Sequence, residues 1–214
     1  MNAADANASG KAVTLMERWR RRRGRQVCDL RYRHLFEPYE GDEWVALDCE
    51  TTGLDRRRAE LVSLAAVKVV GDRIQTSQAL DLRLQRPESL SADSICIHGL
   101  RGVDLLGGET VGDALARLLG FIGNRPLLGW CIDYDLAVID RQLRPRFGFA
   151  LPNRRVDVRR RYARWYRRAR PSVEPDLRFE AVAAALDLPM LGRHTAIGDA
   201  VTAALIHLRL EREV

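Results

Sequence analysis

The sequence predicts an α/β domain with a central mixed β-sheet flanked by helices, preceded by an N-terminal helical extension. Three observations carry this. Residues 44–50, WVALDCE, are almost wholly apolar apart from two acids, as in a central strand buried on both faces. Two further strand patterns follow across short turns. From residue 109 the apolar spacing becomes helical, and the last helix is apolar around most of its circumference.

Residues 1–12 are small and polar and are expected to lack structure. A helix is expected from Val13 to about Leu35, with Leu15, Met16 and Trp19 near one face and the run Arg20–Arg23 upon it. Pro38 and Gly41 interrupt the chain, so residues 1–43 read as an extension and 44–214 as the domain. After the first strand, LVSLAAVKVV (61–70) is a second strand closed by the Gly71-Asp72 turn. Ile74, Thr76, Gln78, Leu80, Leu82 and Leu84 then alternate with polar residues as a third, giving an antiparallel meander. Helical spacing marks 109–123, a short strand 125–130, and helices 133–143, 155–168, 177–186 and 196–210.

The chain has 214 residues and a net charge of +6. Of its 35 basic residues only Lys11 and Lys68 are lysines. Residues 44–153 are close to neutral, with 13 basic and 14 acidic residues, whereas residues 154–214 hold 13 basic against 8 acidic. A nearly neutral, acid-containing middle beside basic ends suits a metal-dependent nucleic-acid enzyme, and equally a neutral protein with a basic helix. No apolar run reaches the roughly 18 residues of a membrane span, and the first residues lack the order of a secretory signal. The dispersed Cys28, Cys49, Cys96 and Cys131 form no CxxC pair and read as reduced thiols of a cytoplasmic protein.

Asp48 and Glu50 stand two apart on the first strand, so both point to one face while Val45, Leu47 and Cys49 take the other. Two carboxylates on a buried strand require cations, and residues 44–55 contain no lysine or arginine. Hard oxygen ligands suit Mg²⁺ or Mn²⁺. The alternative is that both lie at the strand's exposed end and pair with distant arginines. Thr51, Thr52, Gly53 and Leu54 end the strand and offer backbone N–H groups to a substrate, or form an ordinary turn. Asp135 lies in an apolar setting, whereas Asp133 and Asp140 read as a solvated helix start and an exposed turn. Asp199 sits in the first turns of the last, interior helix and asks for a metal or a hydrogen-bonded partner. His194 precedes that helix, where a loop could aim it at a water; a capping or surface histidine is the alternative.

In order, DCETTGL, LLGWCIDYDL and HTAIGDA resemble the DEDDh family of DnaQ-like 3′–5′ exonucleases across about residues 44–210. Ile97-His98-Gly99-Leu100 also resembles a short family segment. The resemblance implies a ribonuclease-H-like fold binding two metal ions, with Asp48, Glu50, Asp135 and Asp199 as ligands and His194 as general base. It implies substrate contacts at Thr51, Thr52, Gly53, Leu54 and His98, and nucleoside 5′-monophosphate as product. Where the family usually has His-Asn, this chain has Trp130-Cys131.

The expected substrates are single-stranded or frayed 3′ ends of DNA or RNA, with a polymerase or a second copy of the chain as possible partner. A proofreading subunit and a catalytically silent binding protein are the alternatives. The short stretch after the last helix leaves little room for a polymerase-tethering tail. Nine arginines in 154–170 interleave with Tyr162, Trp165 and Tyr166, whose i, i+3, i+4 spacing is that of a buried face; stacking on bases is the competing use.

Overall fold

The computed structural model describes residues 22–24, 27 and 29–213. Among them the strands are β1 (Trp44–Thr51), β2 (Leu61–Val70), β3 (Arg73–Ile74), β4 (Leu80–Arg83), β5 (Leu127–Gly129) and β6 (Arg155–Asp157). The α-helices are α1 (Ala92–His98), α2 (Val111–Ile122), α3 (Asp133–Phe147), α4 (Val158–Ala169), α5 (Phe179–Ala185) and α6 (Ala196–Arg212). The sheet order is β3-β2-β1-β5-β6, with β4 also on β2. β2 runs antiparallel to β1, while β5 and β6 are parallel to it, so the sheet is mixed as expected.

Alternation along β1 divides the interior in two. Val45, Leu47 and Cys49 join a core built with α2 and α3. Trp44 and Ala46 face a second core built with α4, α5 and α6. Each fully buried Val, Leu or Ile contributes about 1.5–3 kcal/mol, so both faces of the sheet are firmly held.

Four expectations change. The third strand is split. Between the paired residues Ile74 and Leu80 the chain has five residues opposite two on β2 (between Ala66 and Val69), and the surplus loops out as a 3₁₀ turn, Thr76–Gln78. Alternation reports which face a residue takes and is blind to such slippage. Residues 155–157, expected to be helical, instead form β6; Asp157 ends the strand and starts α4 by accepting the N–H groups of Arg159 and Arg160. The segment around His98, which lies outside the expected helices and strands, is the helix α1, opened by a Ser91 cap and closed by Gly99 at φ +73°.

The fourth concerns the extension. Residues 1–21 of it, including Leu15, Met16, Trp19 and Arg20, lie outside the described residues. Residues 22–24 are helical, but Leu30–Phe36 is a 3₁₀ helix capped by Asp29, so no single helix runs to Leu35. Tyr32, Leu35 and Phe36 are buried in the first core. Tyr32 meets Phe147 edge-on at 5.4 Å and Phe36 meets Phe149 at 5.5 Å, so packing of the domain begins before Trp44.

α4 turns its aromatics inward. Tyr162 is buried, and Trp165 and Tyr166 pack against the second core; the buried-face reading of their spacing is the one the fold realises. Among the described residues no helix is long and apolar enough to cross a membrane. Cys49, Cys96 and Cys131 are free thiols, and Cys28 lies outside the described residues.

His207 on α6 is only 1% exposed, lies 4.9 Å from the Trp44 ring and accepts a hydrogen bond from Arg161 at 3.0 Å. Burial first, then the Arg161 charge, push its pKa from 6.5 down to about 4. The unfolded chain therefore binds this proton more tightly than the folded one. Its neutral form is fully accommodated above pH 6.5, and stability is lost as pH falls toward 4, by up to about 3 kcal/mol. Urea unfolding at pH 7, 5.5 and 4 should show wild type losing this amount relative to His207→Phe. A pH-independent difference between the two proteins would contradict it.

Candidate active site

β1 outruns its parallel neighbour. The last β1–β5 pair is Ala46 with Leu128, and at the following step Gly129 lies so close that a Cβ there would stand 2.6 Å from the Leu47 carbonyl oxygen. Beyond it β5 turns away through Trp130 and Cys131, the latter at φ +53°. The divergence opens a cleft of about 470 Å³ at the carboxyl ends of the two strands. Ligands of open α/β sheets characteristically bind at such a place.

The cleft gathers Asp48 and Glu50 from β1, Asp135 from the first turn of α3, and Asp199 from the first turn of α6. Carboxylate oxygens of Asp48, Glu50 and Asp199 all lie within 4.8 Å of one another. Asp135 lines the same cleft outside that tight group. Glu50, Asp135 and Asp199 are buried, while Asp48 stays partly open.

Crowding shows in the proton affinities. Burial, then Asp135, Asp199 and Glu50, push Asp48 well above the usual carboxylate range. Burial does the same to Asp135, against the backbone N–H groups of Asp135 itself and Cys49. Glu50 is raised to about 7 by burial and by Asp199. Asp199 is raised by burial despite the opposing pull of Arg193 and His194.

Arg193 was not singled out from the sequence. Its guanidinium pairs with Asp199 at 2.5 Å and with Glu180 of α5 at 2.6 Å, and it stands 5.1 Å over the Phe179 ring. Phe179 in turn stacks on Trp130 at 4.6 Å. Arg193 is thus the hydrogen-bonded partner that Asp199 asks for, while the distant arginines considered for Asp48 and Glu50 form no ion pair with them among the described residues. Spacing carried no sign of Arg193; its place beside His194 was the available signal. Trp130, where the chain leaves the family pattern, packs against the second core as support for α5.

His194 lines the cleft, half-buried, at φ +63°. A non-glycine residue rarely adopts this conformation without surrounding constraint.

Thr51, Thr52, Gly53 and Leu54 form one wall. The Tyr134 hydroxyl, also missed, donates to the Gly53 carbonyl and meets the Thr51 hydroxyl at 2.9 Å. Thr52 is held by Ser89 at 2.8 Å and by the Glu60 N–H at 3.0 Å. Leu54 is 88% exposed at the rim, with Ile97 of α1 facing the same space.

His98 is a correction. It is 6% exposed, does not line the cleft, and accepts the Leu100 N–H at 3.0 Å through Nδ1. Its Nδ1 serves the turn after α1 while its Nε2 is buried without a partner, and the exposed residue of that segment is Ile97. Asp133 is held by Arg155 at 2.7 Å and Arg160 at 3.1 Å, and Asp140 accepts the Leu151 N–H at 2.8 Å, so Asp140 anchors the chain and is no exposed turn.

Comparison with known proteins agrees with this architecture. Residues 45–207 match the RNase_T family model, described as exonuclease. An oligoribonuclease of Streptomyces griseus is 28% identical over 144 residues, covering 60% of this chain and 71% of that protein. A DNA polymerase III subunit epsilon of Aquifex aeolicus is 28% identical over 100 residues, covering 46% and 48%. E. coli exonuclease I, solved with a dT13 oligonucleotide, superposes with a TM-score of 0.66 at 14% identity, covering 78% of this chain. This chain spans about 40% of that protein's length. Cell-death related nuclease 4 superposes with a TM-score of 0.67 at 15% identity, covering 80% of this chain and 64% of its own. The family match covers most of the chain, including all three motifs, and the chain belongs to the RNase_T exonuclease family.

Proposed function

We propose that this chain is a metal-dependent 3′–5′ exonuclease that hydrolyses phosphodiester bonds at nucleic-acid 3′ ends and releases nucleoside 5′-monophosphates. The observation that carries the reading is the group Asp48, Glu50 and Asp199 in an exonuclease-family cleft, with one oxygen of Asp199, Oδ1, buried and without a hydrogen-bond partner. A buried polar atom left unpaired is costly. Three acidic oxygens facing one another, one of them orphaned, fit a hard divalent cation such as Mg²⁺ or Mn²⁺. Asp48, Glu50 and Asp199 would hold it, and Asp135 would complete the set for a second ion. When bound, the metal supplies Lewis-acid polarisation of the phosphate and a more acidic water.

The protein's own groups do the rest. His194 accepts the proton of the attacking water. Thr51 to Leu54, fixed by Tyr134 and Ser89, present a rigid wall to the terminal nucleotide. Single-stranded ends are the natural substrate, since the structural relative E. coli exonuclease I was solved with dT13. A second reading, a proofreading subunit, draws on the similarity to the polymerase III epsilon subunit; co-elution with a polymerase on gel filtration would favour it.

The loop bearing Arg193 and His194 closes tightly on α6. Thr195 caps the helix by accepting the Gly198 N–H and donates to the Gly192 carbonyl at 2.6 Å. A Cβ on Gly198 would stand 1.9 Å from the Leu191 carbonyl oxygen and 2.3 Å from that of Gly192. Gly198→Ala should therefore push the loop outward. It is expected to destabilise the fold by about 1–3 kcal/mol and to lower exonuclease turnover more than metal affinity, as read by urea unfolding and calorimetry.

With 5′-labelled oligonucleotides, wild type should give a 3′-shortened ladder with Mg²⁺ or Mn²⁺ and none with EDTA; absence of a ladder under every metal refutes the reading. Asp48→Asn should fall to background while remaining folded. His194→Ala should lose about 10²–10⁴-fold in kcat with metal affinity retained.

Glu50 must lose its proton to bind a cation. With its pKa raised to about 7, Mg²⁺ or Mn²⁺ affinity should climb about tenfold per pH unit per proton released below 7, then level off. Calorimetry in buffers of different ionisation enthalpy reads the released proton directly. Glu50→Gln should make the profile shallower by the one proton Glu50 releases, the other carboxyl groups still contributing, and an affinity constant between pH 5.5 and 7 would count against the assignment.

A further inference from the structure

Beside the catalytic cleft, β6 and α4 form a trough of about 680 Å³, larger than the cleft itself. Arg155, Arg159, Arg160, Arg164 and Arg167 line it, over a floor that includes Val156, Ala163 and Leu177. Its two acids are already engaged. Asp133 is gripped by Arg155 and Arg160, and Asp157 caps α4 while pairing with Arg160 at 3.4 Å. Arg164 has no carboxylate within 4 Å among the described residues, and Arg167 has only the exposed Glu174. An exposed pair of that kind holds little energy.

The trough and the catalytic cleft meet. Arg159 lines the trough, reaches the Leu177 carbonyl at 3.2 Å and lies against the Cys131 thiol, which lines the cleft. Asp133 lines the trough and stands two residues before the cleft-lining Asp135. From the β6 end of the trough Arg160, Arg164 and Arg167 descend one face of α4 at i, i+4, i+7, at steps of ~4.5–6 Å along the axis. This is close to the interval between successive phosphates of an extended strand. Buried Tyr162 and half-buried Trp165 and Tyr166 fix the opposite face, so the guanidinium groups sit on an immobile support.

We propose that this trough binds the phosphodiester backbone of a single-stranded polynucleotide on the 5′ side of the terminal nucleotide, making long strands better substrates than dinucleotides. The proposal rests on the exonuclease reading and deepens it, by assigning the length of substrate that the site prefers. The apolar floor accommodates sugars and base edges without reading sequence, and guanidinium contacts to phosphate make binding dependent on salt.

The test uses the full chain and two double variants that remove equal charge: Arg164→Gln/Arg167→Gln in the trough, and Arg56→Gln/Arg144→Gln in the neighbouring groove outside α3. Binding of 5′-fluorescein dT20 and rU20 is followed by anisotropy in EDTA, across a salt series. Hydrolysis is followed with the same strands and with the p-nitrophenyl ester of thymidine 5′-monophosphate, too short to reach the trough. The trough variant should bind both 20-mers at least tenfold more weakly, with the salt slope reduced by about two. It should show a raised KM on them and hydrolyse the ester as wild type does. The groove variant should stay within twofold of wild type. Equal weakening by both variants, unchanged binding by the trough variant, or a loss confined to one sugar type would overturn the proposal. Failure of wild type to hydrolyse any substrate would refute the exonuclease reading alone, since the anisotropy arm reads the trough without catalysis.

Discussion

The molecule is organised around an electrostatic constraint: four converging carboxyl groups, Asp48, Glu50, Asp135 and Asp199, with the exposed Asp93 at the edge, share one cleft whose lining among the described residues contains a single arginine, Arg193. Burial raises the proton affinity of all four, and repulsion from neighbouring carboxylates adds to it at Asp48, Glu50 and Asp135. Without a bound cation, the native state is favoured where these groups are protonated. That stability is fully present below the ordinary carboxylate range and is lost as pH rises, for Glu50 through about 7. A cation held by these groups only in the folded arrangement would remove the penalty and stabilise the fold by mass action. The two cores supply the rigidity that keeps such groups from moving apart. β1 is buried on both faces, α3 is pinned by Leu136, Val138 and Ile139, and α6 is buried along nearly its whole length.

Arg193 is the point where this constraint meets the peculiarity of the chain. Its guanidinium neutralises Asp199, reaches Glu180 and rests on Phe179, which stacks on Trp130. The tryptophan that departs from the family pattern is therefore the base of a continuous stack leading to the loop of His194. Trp130 thereby ties the strand end to the second core, while Asp135 in the first turn of α3 lines the cleft.

Much of this was legible in the sequence, for identifiable reasons. Parity on a strand is a strict rule, so Asp48 and Glu50 were placed on one face opposite Leu47 and Cys49. A helix apolar around its circumference must be interior, so Asp199 was recognised as a buried acid. The features that escaped depend on reach and register. Arg193 acts through a long side chain that spans two helices, and no spacing encodes that. β6 has three residues in an arginine-rich segment, too few for alternation to register. His98 sits in a segment that resembles the family, yet the turn after α1 buries it and leaves Ile97 facing the cleft; resemblance located the segment but not the side chain.

The uneven charge of the chain follows from the same division of labour. A phosphodiester approaching the metal-free cleft meets like charge in proportion to the carboxylates that have ionised, and the attraction around it comes from arginines held at a distance. Those arginines can be held close without collapsing onto the acids because their own counter-charges are consumed locally: Asp133 by Arg155 and Arg160, Asp157 by the helix N-terminus it caps. Bound cations would offset the charge at the centre while leaving the periphery unchanged. Attraction would then run from trough to cleft in the loaded state more readily than in the metal-free one.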